Sequence, residues 1–118
     1  MKQNLEIGTV NLDWCEWTPW REVGEPGIPQ ESGVYEARHL DYAANERLYI
    51  GMAKVLRRRV YRGMIRNSHH AAGVIPQEQD TVQVMVRWAV TSRPAAAEEE
   101  LLRAYVDEFG RLPQYNKR

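Results

Sequence analysis

The sequence predicts an α+β domain in which a small three-stranded sheet, mixed or antiparallel, is flanked by helices. Apolar residues alternate with others over residues 81–90, the clearest strand pattern in the chain. Residues 33–38 and 47–51 are two shorter strand-like runs separated by small and polar residues that suit a hairpin connection. Residues 53–67 and 95–109 contain no proline and have the composition of helices. The predicted order is strand, strand, helix, strand, helix.

The two predicted helices have recognisable packing and boundary residues. In the first, Leu56, Val60 and Met64 recur at a spacing of four, which predicts an apolar stripe facing the sheet. Gly63 is a weak point in this helix. Pro94 suits the first position of the second helix, and Gly110 is a natural C-terminal stop.

The length of 118 residues fits one compact domain. Within it, residues 1–31 are predicted to form a tryptophan-rich N-terminal packing arm, and residues 32–118 the functional part. Trp14, Trp17 and Trp20 are spaced three apart, but Pro19 argues against one unbroken helix. We interpret the tryptophans as packing residues.

The composition, 43% hydrophobic and 27% charged, is typical of globular proteins. The N-terminal residues are polar with no apolar run behind them, and no stretch of about 18 apolar residues occurs, so neither a signal peptide nor a membrane span is predicted. Cys15 is the single cysteine and is interpreted as a packed thiol, which fits a reducing compartment. We therefore expect a soluble, cytoplasmic protein.

The charge distribution is uneven although the formal net charge is zero. Net neutrality alone argues against nonspecific attraction to nucleic acid. Residues 54–66, however, contain six positive side chains and no acidic one. The ordinary interpretation of such a run is a solvated helix face, and the alternative is a surface for DNA phosphates. The six residues are Lys54, Arg57, Arg58, Arg59, Arg62 and Arg66.

Arg59 differs from the other cations by its position on the predicted helix. At about 100° per residue, Arg59 lies roughly 60° from Leu56, at the edge of the buried stripe. A planar guanidinium held there could clamp a scissile phosphate, while the more outward cations would contact neighbouring phosphates. Phosphodiester hydrolysis needs such a cation together with a positioned water and a group that takes its proton.

Three motifs together resemble the GIY-YIG nuclease superfamily. They are Ser-Gly-Val-Tyr at 32–35, Leu-Tyr-Ile-Gly at 48–51, and Met-Ala-Lys-Val-Leu-Arg-Arg-Arg at 52–59. In that family an arginine follows the YIG glycine by eight residues, which is the position of Arg59. The pattern is similar to the nuclease domain of the bacterial excinuclease and to phage homing endonucleases, and it covers residues 32–116.

The resemblance implies roles for further residues. Tyr35 and Tyr49 would hold or deprotonate the attacking water, with the identity of the proton acceptor left open. Glu98 would bind one divalent ion, Mg²⁺ or Mn²⁺, and Glu99 is the alternative ligand. Asn116 would fix the geometry of the active site.

One position departs from the family pattern. Many of these nucleases have a histidine or tyrosine four residues beyond the arginine, and here that position is Gly63. Tyr61, His69 or His70 could substitute for the missing group. Otherwise the histidine pair is interpreted as surface residues, since neither has a partner at metal-binding spacing.

The sequence thus predicts a metal-dependent endonuclease that hydrolyses DNA and has no membrane partner. The alternative is a catalytically silent fold that binds DNA or protein, and a third possibility is an RNA-directed nuclease. The chain has no room for an appended DNA-binding domain, so target selection is expected from loops, a homodimer or a partner protein.

Overall fold

A four-stranded antiparallel sheet organises the residues that the computed structural model describes, 11–66 and 71–116. Along the sheet the strand order is β1-β4-β2-β3, so β3 is an edge strand. Residues 35 and 51 are partners across β2 and β3, and residues 35 and 88 across β2 and β4. The strands are β1 (Thr18–Pro19), β2 (Gly33–His39), β3 (Tyr49–Ala53) and β4 (Val84–Val90).

The predicted strand count of three is wrong, because the N-terminal arm contributes β1. Thr18 pairs with Val86 and Pro19 with Met85. Proline lacks a backbone N–H but is tolerated in an edge strand, where one side of the backbone forms no ladder. All strand pairs among the described residues are antiparallel, so the α+β class holds and the mixed-sheet option does not.

The basic segment forms a π-helix, Arg57–Ile65, in place of the predicted α-helix over 53–67. The backbone N–H of Arg66 donates to the carbonyl of Tyr61 at 2.8 Å, which is the i→i+5 bond of this helix type. Leu56, Val60 and Met64 are nevertheless fully buried, as the spacing of four predicts.

The remaining helical elements match the prediction in part. Helix α2 (Pro94–Phe109) begins at proline and ends before Gly110, whose φ of 73° is the left-handed cap geometry that favours glycine. Between the π-helix and β4, the chain forms the 3₁₀ turn Ala71–Val74 and the short helix α1 (Ile75–Glu78). Other 3₁₀ turns are Trp20–Glu22, Glu25–Gly27 and Thr81–Gln83.

The sheet packs on both faces. On one face, Tyr35, Val86 and Trp88 share a buried cluster with the apolar stripe of the π-helix. On the other face, Val34 and Ala89 pack against Ala97 of α2, and Ile50 packs against Leu102 and Tyr105. The central strands are therefore covered by the π-helix side and by α2, as expected for a buried sheet between two helical layers.

A buried ionic cluster joins the arm to the sheet on the α2 face. Glu36 is only 3% exposed, and its Oε1 accepts hydrogen bonds from the Nε atoms of Arg47 at 2.8 Å and Arg87 at 3.0 Å. The Arg87 guanidinium lies 4.0 Å from the ring centre of Trp14 and 4.5 Å from that of Trp17. Trp14 and Trp17 therefore stack on a buried cation, and Trp14 also packs against the apolar cluster of Val34, Ala89 and Ala97.

Cys15 lies beside this cluster and packs against the core. The backbone N–H of Trp88 donates to its Sγ at 3.3 Å, and burial raises the pKa of the thiol. Throughout the described ranges, the structure contains no helix with the length and apolar character needed to cross a membrane.

Candidate active-site cleft

A cleft of about 550 Å³ opens at the β3 edge of the sheet, where the two helical layers meet. It gathers three positive side chains, one carboxylate and one phenol from β3, the segment after it, the π-helix and α2. Its apolar walls are formed by Met52, Ala53 and Val55, which belong to the motif at 52–59 but were not expected to line a site. The lining residues are Tyr49, Met52, Ala53, Lys54, Val55, Arg58, Arg59 and Glu98.

The two motif tyrosines meet over Gly51. Their ring centres are 5.9 Å apart and the ring planes are inclined by 38°. A Cβ at position 51 would lie 2.6 Å from Cε2 of Tyr49 and 2.7 Å from Cζ of Tyr35, closer than such atoms approach. A side chain at this position would therefore displace one or both rings, so the glycine of the YIG motif is required by packing.

Tyr35 and Tyr49 occupy different depths. Tyr49 lines the cleft, whereas Tyr35 is completely buried beneath it. The Tyr35 hydroxyl has no hydrogen bond of normal geometry to the described residues. Burial raises the pKa of Tyr35 well above its ordinary value, the nearby Tyr49 raises it further, and the positive charge of Arg59 opposes both effects. Tyr35 is therefore neutral at physiological pH.

The predicted DNA-binding cations divide into three groups. Lys54, Arg58 and Arg59 are exposed and line the cleft. Arg62 and Arg66 are also exposed but lie farther along the π-helix, outside the cleft.

Arg57 has a structural contact instead. Its Nε donates to the Ile28 carbonyl at 2.8 Å, and its backbone N–H donates to the Pro29 carbonyl at 3.0 Å. These bonds fasten the start of the π-helix to the segment that precedes β2.

The two candidate glutamates on α2 have different surroundings. Glu98 is partly buried and lines the cleft. The Glu99 side chain is 74% exposed, lies 3.6 Å from Arg103 in an i,i+4 ion pair, and does not line the cleft. The geometry thus favours Glu98 over Glu99 as the carboxylate of this site.

The donors in the cleft are compatible with a hard divalent cation. One carboxylate and one phenolic oxygen suit Mg²⁺ or Mn²⁺ bound largely by water and by phosphate oxygens. Within the described part of the chain, no three His, Cys, Asp or Glu side chains converge as a metal site. Such an ion would therefore depend on the phosphate of the substrate as well as on Glu98.

Asn116 clamps the outer edge of β3. Its Oδ1 accepts a hydrogen bond from the Ile50 N–H at 3.0 Å, and its Nδ2 donates to the Ile50 carbonyl at 2.8 Å. The backbone N–H of Tyr115 adds a bond to the Leu48 carbonyl at 2.9 Å. These bonds lie on either side of Tyr49, so Asn116 and Tyr115 fix the backbone that carries the cleft's tyrosine.

Of the candidate substitutes for the group missing at Gly63, Tyr61 does not line the cleft. Tyr61 lies in a separate depression beside Arg66, whose guanidinium carbon is 6.0 Å from the tyrosine ring centre. His69 and His70 lie outside the described residues. Gly63 itself is buried against the core side of the π-helix.

Comparisons of the chain with known protein families, with curated proteins and with solved structures found no significant match. The resemblance to the GIY-YIG superfamily therefore rests on the motif residues of the sequence alone.

Proposed function

We propose that the chain is a metal-dependent endonuclease of the GIY-YIG type that hydrolyses phosphodiester bonds of DNA. The observation that supports this most directly is the convergence of Tyr49, Arg59 and Glu98, from β3, the π-helix and α2, on one cleft. Lys54 and Arg58 line the same cleft and add positive charge where a nucleic acid backbone would enter.

In the proposed reaction, a water oxygen forms a bond to phosphorus and the bridging P–O bond on the opposite side breaks. Arg59 donates hydrogen bonds to the non-bridging oxygens, whose negative charge grows in the transition state. Tyr49 orients the water by accepting a hydrogen bond from it, and solvent receives its proton and returns one to the leaving oxygen. A divalent ion held by Glu98 would supply Lewis-acid stabilisation of the same phosphate.

Tyr35 acts in this proposal as a positioning residue. It lies beneath the cleft, contacts the Tyr49 ring and remains protonated, so it cannot take the proton from the water. Its ring instead fixes the orientation of Tyr49 over Gly51.

Nicking of supercoiled plasmid tests the proposal. Cleavage should require Mg²⁺ or Mn²⁺, stop in EDTA, and fall about 100-fold or more in Arg59→Ala and Glu98→Gln variants, the range seen when one transition-state donor is removed. Arg103→Ala is the matched control for the arginine, because Arg103 pairs with Glu99 outside the cleft. Full cleavage by both folded cleft variants would refute the site.

Glu99→Gln decides between the two glutamates. This variant should cleave at the wild-type rate, since Glu99 points to solvent and to Arg103. Loss of cleavage in Glu99→Gln with wild-type cleavage in Glu98→Gln would move the metal ligand to Glu99.

One observation favours a second function. The residue four positions beyond Arg59 is Gly63, which is buried and has no side chain that could take part in catalysis. The fold would then bind DNA or a protein without turnover. For DNA, this predicts affinity that falls steeply with salt through the exposed cations of residues 54–66. Metal-dependent nicking that is abolished by Arg59→Ala would exclude it.

A further inference from the structure

A depression of about 450 Å³ lies farther along the π-helix than the cleft, and we call it the stacking pocket. It is lined by Glu25, Tyr61, Arg62 and Arg66. Tyr61 is partly buried and packs against the main core, so its ring has a fixed position rather than a free one. The pocket thus combines an anchored aromatic ring, two cations and a carboxylate, and the proposed reaction uses none of the four.

The stacking pocket and the cleft are neighbours that share lining residues with one intermediate cavity. A smaller cavity of about 220 Å³ lies between them. It shares Val55 and Arg58 with the cleft, and it shares Glu25 and Arg62 with the stacking pocket. A ligand strand can therefore pass from the cleft to Tyr61 along one face that carries positive side chains.

We propose that the stacking pocket binds an unpaired nucleobase of the DNA strand whose scissile phosphate lies in the cleft, an inference that rests on the proposed function. The base stacks on Tyr61, since single-stranded nucleic acids are commonly held by aromatic rings, and Arg62 and Arg66 contact the adjoining phosphates. Glu25 accepts a hydrogen bond from an exocyclic amino group, which cytosine and adenine carry and thymine does not.

The spacing fits a short single strand. Arg59 and Arg66 are seven residues apart, which at about 1.5 Å per residue gives at most roughly 10 Å along the helix. At about 3.4 Å per nucleotide of one strand, that distance corresponds to two or three nucleotides. A base stacked within a duplex cannot reach the Tyr61 ring, so the base must be unpaired or flipped out. The substrate class is therefore DNA with an unpaired nucleotide close to the cleavage point.

Fluorescence anisotropy in EDTA tests the pocket without cleavage. The probes are a fluorescein-labelled duplex and the same duplex carrying a single-stranded oligocytidine arm. Wild-type protein should bind the armed probe more tightly, and Tyr61→Leu, which keeps apolar volume for the core, should lose about fivefold or more of that preference. Tyr61→Phe should retain the preference because the ring remains. Tyr42→Ala, which removes an exposed tyrosine stacked on His39, is the control and should have no effect.

The role of Glu25 is tested by comparing the affinities for arms of different bases. Wild-type protein should bind the oligocytidine arm more tightly than an oligothymidine arm, and Glu25→Gln should bring the two affinities together. Overall affinity should rise in this variant, because a negative charge is removed from a positive track, so the ratio of the two affinities is the measured quantity.

The outcomes separate this inference from the proposed function. An Arg59→Ala protein that no longer nicks plasmid should still prefer the armed probe. If wild-type protein nicks DNA but binds both probes equally, or if Tyr61→Leu weakens both equally, the stacking pocket is refuted and the nuclease stands. If the preference depends on Tyr61 but no nicking occurs, the nuclease is refuted and the pocket belongs to a binding module.

Discussion

Among the carboxylates that form the ion pairs described below, replacing Glu36 with alanine should destabilise the protein most. The Glu36 carboxylate is almost completely buried and contacts two guanidiniums, at 2.8 Å from Arg47 and 2.9 Å from Arg87. The side chains of Arg47 and Arg87 are only 11% and 20% exposed. Glu36→Ala would leave both of them buried without their counter-charge.

The magnitude follows from that burial. Removing one partner of a buried ion pair costs about 3–5 kcal/mol, because the remaining charge stays desolvated. A domain of this size has a free energy of unfolding of about 5–15 kcal/mol, so the loss is a large share of the total. With an unfolding entropy of about 2.1 cal/mol/K per residue, the melting temperature should fall by roughly 12–20 °C.

Circular dichroism during thermal and urea unfolding measures the effect. Glu46→Ala is the matched control, because Glu46 also pairs with an arginine, Arg111, at 3.1 Å, but the Arg111 side chain is 51% exposed. Its melting temperature should match that of the wild type within error. Equal, small shifts in the two variants would refute the view that the Glu36 cluster holds the sheet together.

Three further predictions concern the cleft and its supports. Gly51→Ala should cost about 1–3 kcal/mol of stability in urea unfolding and abolish plasmid nicking, because the added Cβ overlaps both tyrosine rings; wild-type nicking would contradict this. Asn116→Ala should cost about 1–3 kcal/mol and slow nicking, since it removes both side-chain bonds to Ile50; unchanged unfolding would show that the clamp is dispensable. Tyr49→Phe should lose nicking activity, whereas Tyr35→Phe should keep most of it. In the wild type, the raised pKa of Tyr35 gives stability that is present below about pH 10 and is lost above it, where the unfolded tyrosine ionises. The urea midpoint of Tyr35→Phe should therefore fall less steeply above pH 10, and parallel profiles would contradict the assignment.

The parts of the fold that the sequence predicts are those whose local signals agree with their packing. The alternation in β4 places Val84, Val86 and Trp88 in the core, and Gly110 ends α2 in the left-handed geometry that only its missing side chain makes easy. The same alternation includes Val82 and Val90, but both are exposed: Val82 lies in the 3₁₀ turn Thr81–Gln83, and Val90 is the last residue of the strand.

The π-helix and β1 could not be predicted from local sequence. A stripe spaced by four, as at Leu56 and Val60, falls on one face of a wide helix as well as of an α-helix, so periodicity does not distinguish the two. Strand β1 has two residues, one of them proline. It forms because its partners Met85 and Val86 lie at an open edge of strand β4. Its signal is therefore tertiary rather than local.

The candidate site divides in the same way. The resemblance to the nuclease family placed Tyr49, Arg59 and Glu98 in one proposed site, and these three line one cleft. The depth of Tyr35 and the contact between Arg57 and Ile28 depend on how the sheet and the arm pack, which no motif spacing encodes.

The position of Glu36 has a consequence for engineering this protein. One carboxylate oxygen of β2 is held by an arginine from β4 and by another two residues before β3, so it fixes the alignment of three neighbouring strands at once. A one-residue slip of β2 would send this charge into the apolar layer on the π-helix side and turn Tyr35 toward α2. Redesign of substrate choice should therefore vary the residues at the rim of the cleft and leave Glu36 unchanged. Although Glu36 lies on the opposite face of the sheet from Tyr35, its replacement would disturb the alignment of the tyrosines.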